Sequence, residues 1–202
     1  MITICSSYGL DPRYRDKDYQ AAVDADVLQQ LRNWATGNAD DVLKPTGKNM
    51  RNLNPIILSP SVLELGWWGY LIDGAPSKFP SINTRSERLE SKTSALGRRA
   101  IVPASYWREM QKPSRDWYHL TLPEDELIGI AALVQPGHSA DGQLYTCYSM
   151  VMQEASPHIA GVHDRMPLIL PAGSPRNGSP ARRLRASSSR LHVPLRSLSR
   201  KR

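Results

Sequence analysis

The chain has 202 residues, of which 40% are hydrophobic and 22% are charged, so it can bury the core of one domain but not of several modules. Its net charge of +7 is uneven: residues 1–170 carry 17 basic and 19 acidic residues, and the excess positive charge lies after residue 170. Two cysteines exclude a disulfide framework or a paired-cysteine zinc site, and no apolar run reaches the roughly 20 residues of a membrane span. We therefore expect a cytoplasmic monomer without metal, cofactor or membrane contact.

Hydrophobic periodicity predicts a few helices and many short strands. Apolar residues fall at helical spacing over residues 19–34, and Gly37-Asn38 supplies a stop signal. Residues 38–55 are typical of a loop, and residues 86–97 favour a short helix. Strands are predicted at 56–58, 62–65, 100–102, 117–122, 127–134 and 144–152. Pro136-Gly137-His138 and Asp141-Gly142 are predicted turns. This pattern indicates a compact, β-rich α+β domain.

Composition changes after Leu170. Ser, Arg, Pro and Gly dominate residues 171–202, nine of which are Lys or Arg, and the periodic apolar pattern stops. Such a segment has too few apolar side chains for their burial to offset the entropy lost on ordering, so it is predicted to be a disordered basic tail. An alternative is a tail that adheres to nucleic acid through its arginines.

Three stretches combine polar residues in ways that are unusual for plain core strands. In one of them His163, Asp164 and Arg165 place a proton-transfer group, an anion and a fixed cation ahead of an aliphatic run. Taken alone, each stretch also fits a solvated loop whose side chains bond to one another. The three stretches are 81–87, 99–109 and 161–170.

Together with Cys5, these stretches resemble the SRAP family, the SOS response-associated peptidases that covalently trap abasic sites in single-stranded DNA. The family motifs N-x-R-x-E, R-A-I-x-x-A-x-x-W-x-E and H-D-R-x-P are matched from Asn83, Arg99 and His163 onward. The resemblance covers roughly residues 5–170. It implies a compact SRAP-like fold and a role in the response to DNA damage, with single-stranded DNA containing abasic sites as the partner.

The resemblance implies catalytic roles for Cys5, Asn83, Glu109 and His163. The α-amine of Cys5, with an ordinary pKa of about 7.7 to 8.0, and its thiol, near about 8.5, would add to the abasic aldehyde and give a thiazolidine. Asn83 would hold the N-terminal residue, and Glu109 would act as general acid or base. His163 would assist sugar ring opening and proton transfer.

Four further residues are predicted to bind DNA. Arg85 and Arg165 would contact phosphates, because a guanidinium can bind two oxygens at once; the alternative for Arg85 is an internal ion pair with Glu87. Trp67 and Trp68 belong to a segment similar to the family's W-G-Y element. Rings of this kind either pack in a core or form platforms for unstacked bases.

The sequence departs from the family pattern at both ends. Residues 1–4 precede Cys5, whereas the family's cysteine follows the initiator Met. Three alternatives follow: the true start lies downstream of Met1, residues 1–4 are a leader whose removal frees the amine of Cys5, or thiazolidine formation fails. Autocatalytic removal through Cys5, Glu109 and His163 is the hypothesis that matches the family's peptidase name. The family's ordered continuation is not found after residue 170, as expected of a truncation or a change of reading frame near residue 171. Tyr106 replaces a residue that is often small, which predicts a narrower groove. Two alternative functions stay open: a cysteine peptidase using Cys5 and His163, and an inactive relative that binds DNA reversibly.

Overall fold

The computed structural model describes residues 7–49, 53–77, 81–91, 98–112, 114–170 and 196–197. The helices are α1 (Ala25–Gly37), α2 (Thr46–Asn49) and α3 (Glu87–Ser91), with a 3-10 turn at Pro123–Asp125. The strands are β1 (Tyr8–Gly9), β2 (Asn54–Ser59), β3 (Val62–Trp68), β4 (Leu71–Ile72), β5 (Ala75–Pro76), β6 (Asn83–Arg85), β7 (Arg98–Ala104), β8 (Tyr106–Met110), β9 (Trp117–Leu120), β10 (Ile128–His138), β11 (Leu144–Glu154), β12 (Arg165–Pro167) and β13 (Arg196–Ser197).

Five of these strands close into a barrel. Their order is β10, β7, β2, β3 and β11, and β11 pairs again with β10. The β3–β11 pair is parallel and the other four pairs are antiparallel. Beyond the barrel, β11 continues between β6, which is parallel to it, and β12, which is antiparallel. The predicted β-rich domain with few helices is therefore confirmed.

A second sheet consists of β1, β8, β9 and β13. Trp107 of β8 and Leu120 of β9 are paired neighbours, and both belong to the main core cluster together with barrel residues such as Val102 and Ile130. One face of this sheet therefore packs against the barrel core. The opposite face of β8 and β9 points away from that core.

Helix α1 covers one side of the barrel with Val27, Leu28 and Leu31. It begins at Ala25, later than the predicted residue 19, because the chain is still turning there: the Asp24 N–H donates to Pro60 O at 2.9 Å. The apolar residues before it are buried on turns rather than on the helix. The helix ends at Gly37 as predicted.

Observed strands match the six predicted ones, but several local predictions are wrong. The predicted loop at 38–55 contains α2 and the start of β2. Pro136-Gly137-His138 lies inside β10 instead of forming a turn. Pro136 pairs with Thr146 of β11, and this pairing continues β10 through a residue that lacks an N–H. The predicted loop around Asn83 is strand β6, and β8 was not predicted. The Asp141-Gly142 turn is confirmed, with Gly142 at φ +85°.

Cys5, the predicted leader at residues 1–4 and most of the predicted tail lie outside the described residues. Within the tail, Arg196–Ser197 pairs with β9 as β13. No helix in the described part of the chain is long and apolar enough to cross a membrane.

Candidate functional site

His163 lies in the loop between β11 and β12 and is 7% exposed. Backbone hydrogen bonds fold the loop back on itself: the His163 N–H donates to Ile159 O at 3.1 Å, and the Ala155 N–H donates to Asp164 O at 3.0 Å. The side chain of Ile159 is buried in the main core cluster. The loop is therefore anchored at both ends and in its middle, which fixes the imidazole at the edge of the core.

The Nδ1 atom of His163 has two neighbours of opposite character. The backbone N–H of Arg165 donates to it at 3.0 Å, and a carboxylate oxygen of Asp164 lies 2.8 Å away. Nδ1 has only one position in the ring plane, so it either accepts from Arg165 when neutral or donates to Asp164 when protonated. Nε2 carries a hydrogen when the ring is charged and in the neutral tautomer that accepts from Arg165. The neutral tautomer that donates from Nδ1 to Asp164 leaves Nε2 as an acceptor.

Burial lowers the pKa of His163, and the positive charge of Lys112 acts in the same direction. The carboxylate of Asp164 opposes both effects and favours the charged ring. The imidazole therefore rests in its neutral form near neutral pH, with the charged form held within reach by one carboxylate. Such a group is suited to transient proton donation.

Glu109 lies on β8 and is 3% exposed. It shares a strand face with the core residue Trp107, two positions away, so its carboxyl points toward the barrel side. The preceding residue ties β8 to the start of the chain: the Arg108 N–H donates to Ser7 O at 3.0 Å. Ser7 is the second residue after Cys5 in the sequence.

The turn between β8 and β9 contacts the His163 loop. The Gln111 side chain donates through Nε2 to Gly161 O at 2.7 Å, and the neighbouring Lys112 is close enough to influence His163 electrostatically. One hairpin thus touches both the segment that follows Cys5 and the loop that carries His163. The elements predicted to hold Glu109 and His163 meet at this hairpin.

Asn83 and Arg85 lie on β6, paired with Met150 and Met152 of β11. Arg165 of β12 pairs with Glu154 of the same strand. Partners in a sheet share a face and residues two apart do so as well, so Asn83, Arg85 and Arg165 share one face along β11. Asn83 is half-buried and Arg85 is exposed.

Arg165 forms an ion pair with Glu87, with Nη1 2.5 Å from Oε1. A backbone hydrogen bond at the first turn of α3 lowers the pKa of Glu87, and Arg165 lowers it further. The sequence allowed Glu87 as the partner of Arg85; the contact is instead made from β12. A phosphate at Arg165 would have to share this guanidinium with Glu87.

The profile of the SOS response associated peptidase (SRAP) family matches residues 17–177. The chain belongs to the SRAP family. Abasic site processing protein YobE of Bacillus subtilis (strain 168) is 30% identical to it over 114 residues, or 51% of this chain and 52% of that protein. The match thus spans about half the length of that relative. Both names agree with the predicted role in DNA damage.

Solved structures show the same fold. A crystal structure of a protein from Bordetella bronchiseptica superposes with a TM-score of 0.63 at 22% identity, covering 96% of this chain and 100% of that one. A protein from Bacteroides thetaiotaomicron gives 0.61 at 15% identity, covering 82% of this chain and 77% of that one. A phage-related protein from Bordetella bronchiseptica gives 0.52 at 19% identity, covering 83% and 77%.

In this SRAP domain the two tryptophans predicted to bind DNA belong to the core. Trp67 is 5% exposed and packs against Tyr145, with ring centroids 5.0 Å apart. Trp68 is fully buried, and its Nε1–H donates to Ile82 O at 2.9 Å. Neither ring offers a face to an unstacked base in this arrangement. Core packing, the alternative that the sequence left open, accounts for both.

The structure also reveals residues that the sequence reasoning did not single out. Tyr106 and Arg108 of β8 lie beside Trp117 and His119 of β9, on the face that points away from the core. Sequence periodicity gave no signal for this face, because residues 106–110 do not alternate apolar and polar side chains; the alternation is in burial, which only the folded strand shows. Among the described residues, no group of three or more His, Cys, Asp or Glu side chains could hold a metal ion.

Proposed function

We propose that this SRAP-family chain is an abasic-site processing enzyme that links itself covalently to abasic sites in single-stranded DNA through Cys5. The observation that carries the proposal is the hairpin β8–β9, which contacts Ser7 on one side and the His163 loop on the other and places Glu109 between them. Two residues of chain span at most about 7 Å, so a nucleophile at Cys5 would act close to this hairpin.

The reaction uses both nucleophiles of an N-terminal cysteine. The α-amine adds to the aldehyde carbon of the ring-opened abasic sugar, and loss of water gives an imine. The thiol sulfur then adds to the same carbon while its proton passes to the nitrogen, which closes a thiazolidine. No oxidant or reductant is consumed. General acid and base groups speed such proton transfers by about 100- to 10,000-fold.

The site residues divide these proton transfers. The charged ring of His163 donates from Nε2 to the sugar oxygen during ring opening, takes up a proton from solvent, and donates again to the departing hydroxyl during imine formation. Glu109, on the core-facing side of β8, accepts a proton from the attacking amine and returns it later. Asn83 orients the cysteine through its amide. The α-amine of Cys5 is available once the bond between Ile4 and Cys5 has been cleaved, and we include this cleavage in the proposal.

Arg85 and Arg165 contact the phosphates on either side of the lesion. The strand register that gives them one sheet face in common with Asn83 supports this role. Single-stranded DNA is the favoured substrate because the aldehyde carbon in a duplex reaches a recessed site only after extrusion. A reducing cytoplasm suits a chain with a reactive thiol, and we expect it to act there as a monomer.

Intact-protein mass after incubation with a single-stranded oligonucleotide carrying one abasic site tests this function. We expect a denaturation-resistant adduct on protein that starts at Cys5, with the mass of protein plus oligonucleotide minus one water. Cys5→Ala should abolish the adduct, and Glu109→Gln should slow it by about 100-fold or more. Cys147→Ala is the matched control, because Cys147 is buried and should leave the adduct unchanged.

Wild-type protein that starts at Cys5 and forms no adduct would refute the covalent function. Protein that keeps Met1 and still forms the adduct would refute the leader cleavage and, with it, a thiazolidine at the α-amine of Cys5. Adduct formation by Cys5→Ala would assign the chemistry to another residue.

A further inference from the structure

We propose that the outward face of the β8–β9 hairpin is a second contact surface, which binds the DNA strand where it leaves the lesion. The outer hairpin face consists of Tyr106, Arg108, Trp117 and His119. This inference rests on the proposed function for its ligand, single-stranded DNA. None of these four residues is one of the polar residues that define the three family motifs.

The strand register separates this face from the catalytic side. Arg108 pairs with His119 and Met110 pairs with Trp117, so these side chains lie on one face of the hairpin. Glu109 pairs with Tyr118 and points to the other face. A strand of DNA on the outer hairpin face therefore would not compete with Glu109 for space.

Arg108 supplies the cation of this face. Its guanidinium carbon lies 5.1 Å from the centre of the Trp117 ring. Its Nε is buried and has no hydrogen-bond partner among the residues that the structure describes. Over the same residues Arg108 enters no ion pair, unlike Arg165 with Glu87. A guanidinium held by a ring instead of a carboxylate keeps its charge available for a phosphate.

Flat rings surround this cation. The Tyr106 and His119 rings stack with centroids 4.5 Å apart and planes 11° from parallel. Any Cβ at Gly9 would overlap the Tyr106 ring, so this glycine lets the ring lie against β1. Trp117 is 37% exposed, in contrast to the buried Trp67 and Trp68. Surfaces that bind single-stranded nucleic acid combine aromatic rings with a cation, and each base stacks on a ring.

The outer hairpin face is continuous with the proposed site. The hairpin turn contacts the His163 loop through Gln111 and Gly161 at 2.7 Å. Lys112 and Arg115 lie in this turn with only Asp116 as a nearby acidic residue in the sequence. A strand leaving the site over the turn would therefore meet positive charge before it reached Trp117. A ligand that crosses the positive turn and then the aromatic rings needs both negative charge and flat groups that stack. Single-stranded DNA has both, so it fits this surface better than an acidic peptide does.

Fluorescence anisotropy of full-length protein with lesion-free single-stranded oligonucleotides tests the surface separately from the covalent chemistry. Trp117→Ala should weaken binding by about 5-fold or more, because it removes one stacked base. Arg108→Gln keeps most of the side chain's length and should reduce the slope of log K against log salt by about 0.7, the value for one phosphate on a single strand. Arg15→Gln is the charge-matched control, since Arg15 already pairs with Glu124 and Glu126.

Oligonucleotides lengthened on either side of an abasic site locate the strand. Lengthening on one side should strengthen binding to wild type and should do so less for Trp117→Ala. An acidic peptide of equal charge should not displace the oligonucleotide; displacement at equal concentration would overturn the nucleic-acid assignment. Thermal unfolding of each variant confirms that the comparison is made on folded protein.

The outcomes separate this inference from the proposed function. If wild type forms the adduct and both variants bind like the Arg15→Gln control, the outer hairpin face is refuted and the proposed function stands. If wild type forms no adduct but the variants lose binding, the surface stands and the covalent function fails. If wild type binds no single-stranded DNA, both fail.

Discussion

Two groups of aromatic side chains in this protein differ in what covers them. Trp68 lies inside the barrel between Tyr8, whose ring meets it edge-on at 5.3 Å, and Tyr148, whose ring stacks on it at 6.1 Å. Trp117 lies on the outer hairpin face with a guanidinium above it and part of its ring in solvent. Both residues are on strands. Whether a ring lies on the core-facing or the outward side of its strand, rather than its residue type, decides whether a ligand can reach it.

The polar atoms of the two groups differ in the same way. In the barrel, Tyr148 Oη lies 3.1 Å from Tyr8 Oη and accepts from Asn54 Nδ2 at 3.1 Å. These groups bond to one another, although Asn54 Oδ1 has no partner among the described residues, and their removal should cost stability. On the outer hairpin face the main polar group is a cation held by a ring. We therefore expect mutations of the first group to change folding and mutations of the second to change binding.

The largest expected effect tests this contrast directly. Trp68→Ala should lower the free energy of unfolding by about 3 to 5 kcal/mol, because it opens a cavity in the core. Trp117→Ala should change it by less than about 1 kcal/mol, since the ring is partly solvated already. Urea unfolding followed by circular dichroism measures both. Equal losses for the two variants would contradict the division of roles.

Removal of a single hydroxyl group sharpens the comparison. Tyr148→Phe keeps the ring stacked on Trp68 but removes the acceptor of the Asn54 amide, so we expect a loss of about 1 to 3 kcal/mol in the free energy of unfolding. Tyr145→Phe, on a half-buried ring beside Trp67, is the matched control and should be nearly neutral. A neutral Tyr148→Phe would mean that the network contributes little to stability.

A third prediction concerns the proton held at His163. Asp164→Asn removes the carboxylate that favours the charged imidazole, so the pKa of His163 should fall further. Because Asp164 is 86% exposed, the rate of adduct formation at pH 7 should drop by only about 2- to 5-fold, within the range of an exposed ion pair. The alkaline limb of the pH–rate profile, where the charged ring of His163 loses its proton, should move to lower pH. If the reaction became slower while the pH–rate profile stayed in place, Asp164 would have no electrostatic effect on His163.

The smallest expected effect lies in the exposed ion pair of Arg165 and Glu87. Since the folded protein lowers the pKa of Glu87, this carboxylate stabilises the fold above its ordinary value of 4.5 and loses that effect as pH falls through the lowered value. Glu87→Gln should therefore cost about 0.2 to 1 kcal/mol at pH 7 and nothing at strongly acidic pH. Urea unfolding at the two pH values measures the difference. A constant cost across pH would assign the effect to packing.

Local patterns predicted the parts of the fold that local physics controls. The stop at Gly37-Asn38 ends α1, and the predicted turn at Asp141-Gly142 joins β10 and β11. Predictions were wrong where a partner strand decides. Pro136 is typical of a turn, but the pairing with β11 continues β10 through it. Asn83 reads as part of a loop, but β11 supplies the partner that makes it a strand.

The sequence by itself determined the family of this protein, because three ordered motifs and their spacing can be recognised without any knowledge of contacts. It also determined the β-rich class, which follows from short apolar runs and turn residues. Tertiary structure alone decided that Trp67 and Trp68 are buried, that Glu87 pairs with Arg165, and that one hairpin joins the segment after Cys5 to the His163 loop. These features depend on strand register and on contacts between distant residues, and neither is encoded by the local periodicity of the chain.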